Sequence, residues 1–295
     1  MATRLLTSKI TFADVRRAVS GDSQALESVV KAVLHDTYGL ALRFLWHPED
    51  AEDATQEIAI RIVTGLAGFD SRSRFRTWVY RIACNTLLTL AKKRVEASGI
   101  SFESMSEDLR SGVEDVVESD APSPYDAALV EEVKIGCTHA MLICLDRDHR
   151  LAYILGTVLD IDHVEAAQAM EITPSAFRKR LSRANARISG FVLGHCGLAD
   201  GQNACRCETK VPKAVACGRV SPTALKFSKQ PVNHRELEQV TLFVRRLESA
   251  RRAAEIYRSH PEFNFSTENL NWVVELFSPS SQGDAFGAEI APRPN

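Results

Sequence analysis

Phe75, Trp78 and Tyr80 stand among Arg74, Arg76 and Arg81 in the stretch from Arg72 to Arg94. Guanidinium groups pair with phosphates and aromatic rings offer unstacked bases a surface, so this mixture suits nucleic acid whose strands are separating. Just upstream, Asp50, Asp53, Gln56 and Glu57 mark a segment of opposite charge. Two opposed surfaces in tandem point to two macromolecular partners. Far downstream, His195, Cys196, Cys205, Cys207 and Cys217 fall within a short span. Thiolate and imidazole ligands in that number could close a zinc site, although the paired C-x-x-C knuckles that make such sites specific are missing. The C-x-C pair could also hold another soft metal or act as a redox couple, and locally structural cysteines are the plainer alternative. No G-x-x-x-x-G-K-[ST] loop, H-E-x-x-H pair or nucleophile beside an evident base occurs, so a binding protein and not an enzyme is expected.

These residues need helices to position them. Pro48 suits the first turn of a helix because its missing N–H has no partner to lose there. Ala51, Ala54, Ile58 and Ile62 then recur at helical spacing, which leaves Asp50, Asp53, Gln56 and Glu57 to solvent or a partner. In the basic helix Phe75, Val79, Ile82 and Thr86 share one face, which assigns Phe75 to the core, while Trp78 could pack or meet DNA. Upstream, Thr11 can cap a short helix ending near Gly21. Asp22 or Ser23 can cap another, with Leu26, Val29, Val30, Val33 and Leu34 on its apolar face. No strand alternation is sustained, so an all-α fold is expected.

The motif D-x-x-D-x-x-Q-E followed by F-R-T-W-x-Y-R-I-x-x-N resembles region two of bacterial RNA polymerase sigma factors of the sigma-70 family, extracytoplasmic-function (ECF) type. The resemblance implies that Asp50, Asp53, Gln56 and Glu57 face the clamp of the polymerase beta-prime subunit. It also implies that Arg74, Arg76, Trp78, Tyr80, Arg81 and Asn85 face the minus-ten promoter element and help open it.

A second DNA-binding pattern lies between Asp162 and Ile188. A first helix from about Asp162 to Met170, with Val164, Ala167 and Met170 inward, precedes Thr173-Pro174, an N-cap followed by proline at the first helical position. Phe177, Leu181 and Ile188 would face the core. Ser175, Arg178, Lys179, Ser182, Arg183 and Arg187 would lie outside, where a basic helix with small residues at its start can enter a major groove. This helix-turn-helix is similar to sigma region four, which reads the minus-thirty-five element and meets the polymerase beta flap. Glu171 stands where that family usually has a turn glycine, and Ala176-Phe177 replaces its usual threonine and β-branched residue. Those departures obscure which bases would be read.

The 295 residues allow two or three domains, and 45% hydrophobic content is enough for a core. The expected division is 1–94 for a region-two bundle, 95–128 for an acidic flexible linker, 129–193 for the helix-turn-helix domain, 194–278 for a cysteine-containing helical extension and 279–295 for a disordered tail. The formal net charge of −2 hides segregation, since from Val95 to Glu132 the chain is crowded with acids and Arg110 is its only base. Local sign, not the average, governs DNA affinity. That acidic stretch could tether the domains or imitate RNA. Cys84, Cys137 and Cys144 read as small buried hydrophobes. The extension should contain a long amphipathic helix, Pro231 to His260, and a second at about Thr267 to Phe277. No apolar run reaches the roughly 18 residues that span a bilayer, and no signal peptide opens the chain, so a cytoplasmic protein without membrane insertion is expected.

Three functions compete. A sigma factor would bind core RNA polymerase and promoter DNA, with an anti-sigma protein as a further candidate partner, and would require no cofactor. A stand-alone helix-turn-helix regulator sensing metal or redox state would use the tail cysteines but leave the acidic helix unexplained. A cysteine-dependent metalloenzyme lacks an acid–base partner.

Overall fold

The computed structural model describes residues 6–90, 99–110, 124–227, 244, 249–266, 270, 271, 273 and 275. Among these residues the fold is helical, with no strand beyond an isolated bridge between Cys196 and Cys205. A 3-10 turn at Leu6–Lys9 leads into α1 (Phe12–Val19), whose N-cap Thr11 exchanges hydrogen bonds with Asp14 in a capping box. Asp22 then caps α2 (Ser23–Leu45), its carboxylate accepting from the Ala25 N–H at 3.0 Å. Val29, Val30, Val33 and Leu34 are fully buried along α2. This helix stops at Trp46, whose φ of 69° is left-handed.

Pro48 opens α3 (Pro48–Gly65), and Ala51, Ala54, Ile58 and Ile62 are buried as their spacing predicts. After a tight turn comes α4 (Phe75–Leu90), with Phe75, Val79 and Thr86 inward. Phe69, Phe75 and Trp78 form an aromatic cluster at ring separations of 5.5 to 5.9 Å, so Trp78 is half-buried by packing.

The stretch expected as linker contains a helix, α5 (Phe102–Arg110). Met105 is buried, the Phe102 ring lies 5.1 Å from Phe191, and Arg187 sits over Phe102 at 5.3 Å. Burial of an apolar edge, with Ser101 accepting from the Ser104 N–H at 3.2 Å, forms a helix whose sequence alone shows little periodicity. Of that stretch, 95–98 and 111–123 lie outside the described residues, and 124–128 already belong to the next helix, Pro124–Ile143.

Next come α6 (Pro124–Ile143), α7 (Arg147–Tyr153), a π turn at Ile154–Val158, α8 (His163–Ala169) and α9 (Pro174–His195). Helices α8 and α9 make the helix-turn-helix. Asp162 caps the first, and the Thr173 hydroxyl accepts from the Ala176 N–H at 3.2 Å to cap the second. Phe177, Leu181 and Ile188 are buried. A Cβ at Gly156 would stand 2.8 Å from Leu181 and 3.1 Å from Phe177, so the helix packs there because the glycine has no side chain. Val164, expected inward, is 50% exposed. The buried positions of α8 are Glu165, Ala166, Ala167 and Ala169, because α4 packs against the side that carries Glu165.

The extension contributes α10 (Cys207–Ala216) and α11 (Ser249–Arg258). The long helix expected from Pro231 falls outside the described residues over most of its first half. Its last turns are seen in α11. Of the second expected helix only Leu270, Asn271, Val273 and Glu275 are described, and 279–295 are not.

One hydrophobic core runs through residues of the α1–α4 bundle, the helix-turn-helix and the extension. Arg150, 2% exposed, donates to the carbonyls of Leu142, Ile143, Leu145 and Phe44, so one buried guanidinium joins the α6–α7 corner to the end of α2. The two units therefore pack as neighbours and are not separated by their linker.

Candidate functional site

Three surfaces carry the predicted binding residues. On α3, Asp53 is exposed while Asp50 and Glu57 are half-exposed, and Arg61 donates to Glu57 at 2.6 Å one turn on. Gln56 differs from expectation: it is buried beside Thr55, and its amide nitrogen has no hydrogen-bond partner. Burial follows from its position one turn before the buried Ala59, so the acidic face of α3 is narrower than the motif implies.

On α9, Ser175, Arg178, Lys179, Ser182 and Arg183 are all exposed and share the side opposite Phe177, Leu181 and Ala184. This arrangement can present guanidinium and ammonium groups to phosphates and hydroxyls to base edges. Arg180 instead turns to Asp148 at 3.0 Å, and Arg187 packs on Phe102. These two tie α9 to its neighbours.

The basic helix α4 is arranged differently. Arg74 and Arg81 are exposed. Arg76 lies against Glu165 of α8, its Nε donating to Oε1 at 2.8 Å and its Nη2 to Oε2, while the Thr77 hydroxyl donates to the same carboxylate at 2.8 Å. Burial pushes the Glu165 carboxyl up, but the hydrogen bonds from Arg76 and Thr77 outweigh it and hold the group below its ordinary value. At the other end of the helix, Asn85 donates to Glu171 at 3.0 Å. Tyr80, expected to face DNA, is 1% exposed and its hydroxyl has no hydrogen-bond partner. Burial raises its pKa well above the usual tyrosine value. The ring sits on the same inward face as Val79 and Ala83, which turns it away from any ligand in this arrangement.

Glu171 occupies the turn between α8 and α9 with a φ of 55°. A non-glycine residue there costs on the order of 1 kcal/mol. Glycine would adopt this positive φ without that strain. Sequence reasoning noticed the substitution but not its partner on α4.

The cysteine tail departs from the expected ligand set. His195 stacks on Phe191 at 4.4 Å, its Nδ1 meeting the Phe191 carbonyl at 3.0 Å and its Nε2 the Ser106 hydroxyl at 2.9 Å. Both ring nitrogens are thus committed. Cys217 is exposed, whereas Cys205 and Cys207 line a cavity of about 370 Å³ together with Cys137 of α6. Burial raises the thiol pKa values of Cys137, Cys205 and Cys207. That favours the neutral thiol over the nucleophilic thiolate. Among the described residues no three His, Cys, Asp or Glu side chains are grouped so that they could hold a metal ion. Basic residues of the tail serve the acidic stretch: Arg219 and Lys213 each meet Asp108 at 2.6 Å, pulling its carboxyl down to about 2 against the opposing effect of burial, and Lys210 donates to the Leu109 carbonyl at 2.6 Å. At least part of that acidic stretch is therefore paired within the molecule.

No helix among the described residues is long and apolar enough to cross a membrane. Residues 29–96, which include α3 and α4, match the family described as "Sigma-70 region 2". The chain is 30% identical over 177 residues to the "RNA polymerase sigma-H factor" of Pseudomonas aeruginosa, an alignment covering 59% of this chain and 89% of that protein. It is 28% identical over 181 residues to the "ECF RNA polymerase sigma-E factor" of Escherichia coli, with 60% and 92% covered. With the "ECF RNA polymerase sigma factor SigW" of Bacillus subtilis it shares 24% identity over 169 residues, covering 57% and 89%.

Proposed function

This chain belongs to the ECF type of the sigma-70 family of RNA polymerase sigma factors, and from that premise we propose that it binds core polymerase and directs it to a class of promoters. The observation that carries the reading is the acidic α3 followed directly by the basic α4 within residues matched to sigma-70 region two. Asp50, Asp53 and Glu57 offer the beta-prime clamp a charged face. The exposed basic side of α9 positions the protein at the minus-thirty-five element by phosphate and major-groove contacts. Arg74 and Arg81, with Arg76 and Asn85 once released from Glu165 and Glu171, engage the minus-ten element as its strands part. Unstacking costs a few kcal/mol per base, which contacts to arginine and aromatic surfaces offset.

Polymerase supplies the catalytic chemistry in this scheme, so the chain acts as a specificity subunit in the cytoplasm and needs no cofactor. A stand-alone regulator leaves the acidic face of α3 without a purpose. The test is co-purification of the full chain with core polymerase, followed by run-off transcription. Association and chain-dependent initiation are expected. Tight binding to duplex DNA with no polymerase association would remove the proposal.

A further inference from the structure

The cavity of about 370 Å³ is walled by the end of α2, by α5, by α6 and by the extension. Cavities of roughly 300 Å³ and more hold small organic ligands, and one of ~150 Å³ with apolar walls already admits benzene. An empty space of that size deprives its lining of dispersion contacts, so it is kept at a cost to stability.

Helix α6 presents Val133, Gly136, Cys137 and Ala140 to the space at helical spacing. Gly136 is the informative member. It lies inside α6 (Pro124–Ile143), where glycine weakens a helix relative to alanine. Its φ is not left-handed, and a Cβ built on it would meet no neighbouring side chain or segment within 4 Å. Gly156 is different, since Leu181 stands 2.8 Å from the corresponding position there. Neither backbone conformation nor close packing calls for glycine at 136. What the missing side chain does is leave room.

The rest of the lining indicates what the room suits. Met105, Leu109 and Phe227 add apolar wall, and burial keeps the thiols of Cys137, Cys205 and Cys207 neutral. The charged side chains are unbalanced, with Lys210, Lys213, Arg219 and Lys226 against Asp108 and Glu132. Both carboxylates are already served. Asp108 is met by Lys213 and Arg219, and Glu132 accepts from the N–H groups of Lys226 and Phe227 at 2.7 and 2.9 Å. Lys210 is only 7% exposed, so its charge is poorly screened by water. The local field therefore favours an anion.

From this lining we propose that the cavity binds a small amphipathic acid, an aromatic or alkyl body filling the space beside Gly136 and an acidic group meeting the cationic side chains. The assignment stands apart from the sigma-factor reading, because it uses none of the residues placed at polymerase or DNA. A bound molecule touches the bundle, α5, α6 and the extension together, so it stabilises their joint packing.

The test titrates the full chain with anilinonaphthalene sulfonate, which joins an aromatic body to an anionic group, and follows probe fluorescence and the thermal midpoint. Saturable binding at a single site per chain, with a raised midpoint, is expected; no saturable binding overturns the proposal. Decanoate and naphthoate, representing alkyl and aromatic sources, then compete beside neutral decanol. Displacement by either acid where decanol has no effect supports the site and identifies the body. Displacement by neither acid, or equally by decanol, overturns it. Gly136→Leu fills the space from a position with open room, so it should fold at least as stably and lose the probe. A folded Gly136→Leu with unaltered affinity overturns the proposal. Lys226→Glu changes an exposed residue and should weaken probe binding several-fold. If Gly136→Leu fails to fold, unchanged affinity in Lys226→Glu overturns the site.

Discussion

Helices α4 and α9 both carry arginines suited to DNA, yet α9 displays its set to solvent while α4 has Arg76 and Asn85 engaged by carboxylates from the neighbouring unit. The difference lies in what surrounds each helix and not in its composition. The basic face of α9 points away from the core through Phe177, Leu181 and Ile188, whereas α4 is covered along one edge by α8. A basic helix can therefore be ready or withheld according to packing that its own sequence does not encode.

The comparison can be probed from its largest consequence downward. Reversing Asp53 and Glu57 to lysine should weaken core polymerase binding by about a hundred-fold or more, since like charges across an interface cost several kcal/mol. Circular dichroism should show unchanged helicity, and unaltered affinity would move the polymerase contact off α3.

Acid should loosen the packing of the extension on α6 next. His139 and His260 are buried, with burial the main cause of their depressed pKa values and Arg43 and Lys134 adding to it; His139 falls to about 3. Neither His139 nitrogen has a hydrogen-bond partner, while the Nε2 of His260 meets the Thr138 hydroxyl at 3.0 Å. Both groups stay neutral in the fold but take up protons when unfolded below about pH 6.5, so stability is present above that pH and declines as pH falls. Two such groups predict a loss of roughly 2 to 3 kcal/mol at about pH 5.5 relative to neutral pH. Urea unfolding at the two pH values measures it, and His139→Phe should remove part of the dependence.

A smaller effect is expected at the displayed helix. Replacing Arg178 and Arg183 with alanine should lower promoter binding by about ten-fold or more and reduce the salt slope by roughly 0.9 for each phosphate no longer neutralised. Smallest of all, Thr173→Ala should cost about 1 kcal/mol by leaving the Ala176 N–H without its cap. Thermal unfolding would read that loss.

Local signals carried much of this fold. Pro48, the Thr11 and Asp22 caps and the Thr173-Pro174 start of α9 place helix ends through bonds made within a few residues, and the apolar spacing of α2, α3 and α9 identifies their buried sides. Contacts between distant segments were hidden. Helix α5 forms because Phe102 and Met105 find partners far along the chain, and Glu165 turns inward because Arg76, 89 residues away, receives it. The same reason hides the thiol grouping. Cys137 reads alone as a small core residue, yet the fold brings it to the cavity that Cys205 and Cys207 line. Only Glu171 left a trace, as a charged residue where a turn favours glycine.

The most direct measurement of the central claim is sequencing of transcript starts made on fragmented genomic DNA by core polymerase with and without the full chain. The account predicts chain-dependent starts that share two upstream sequence elements, one for each DNA-binding unit. Starts indistinguishable from those of core polymerase alone would contradict it.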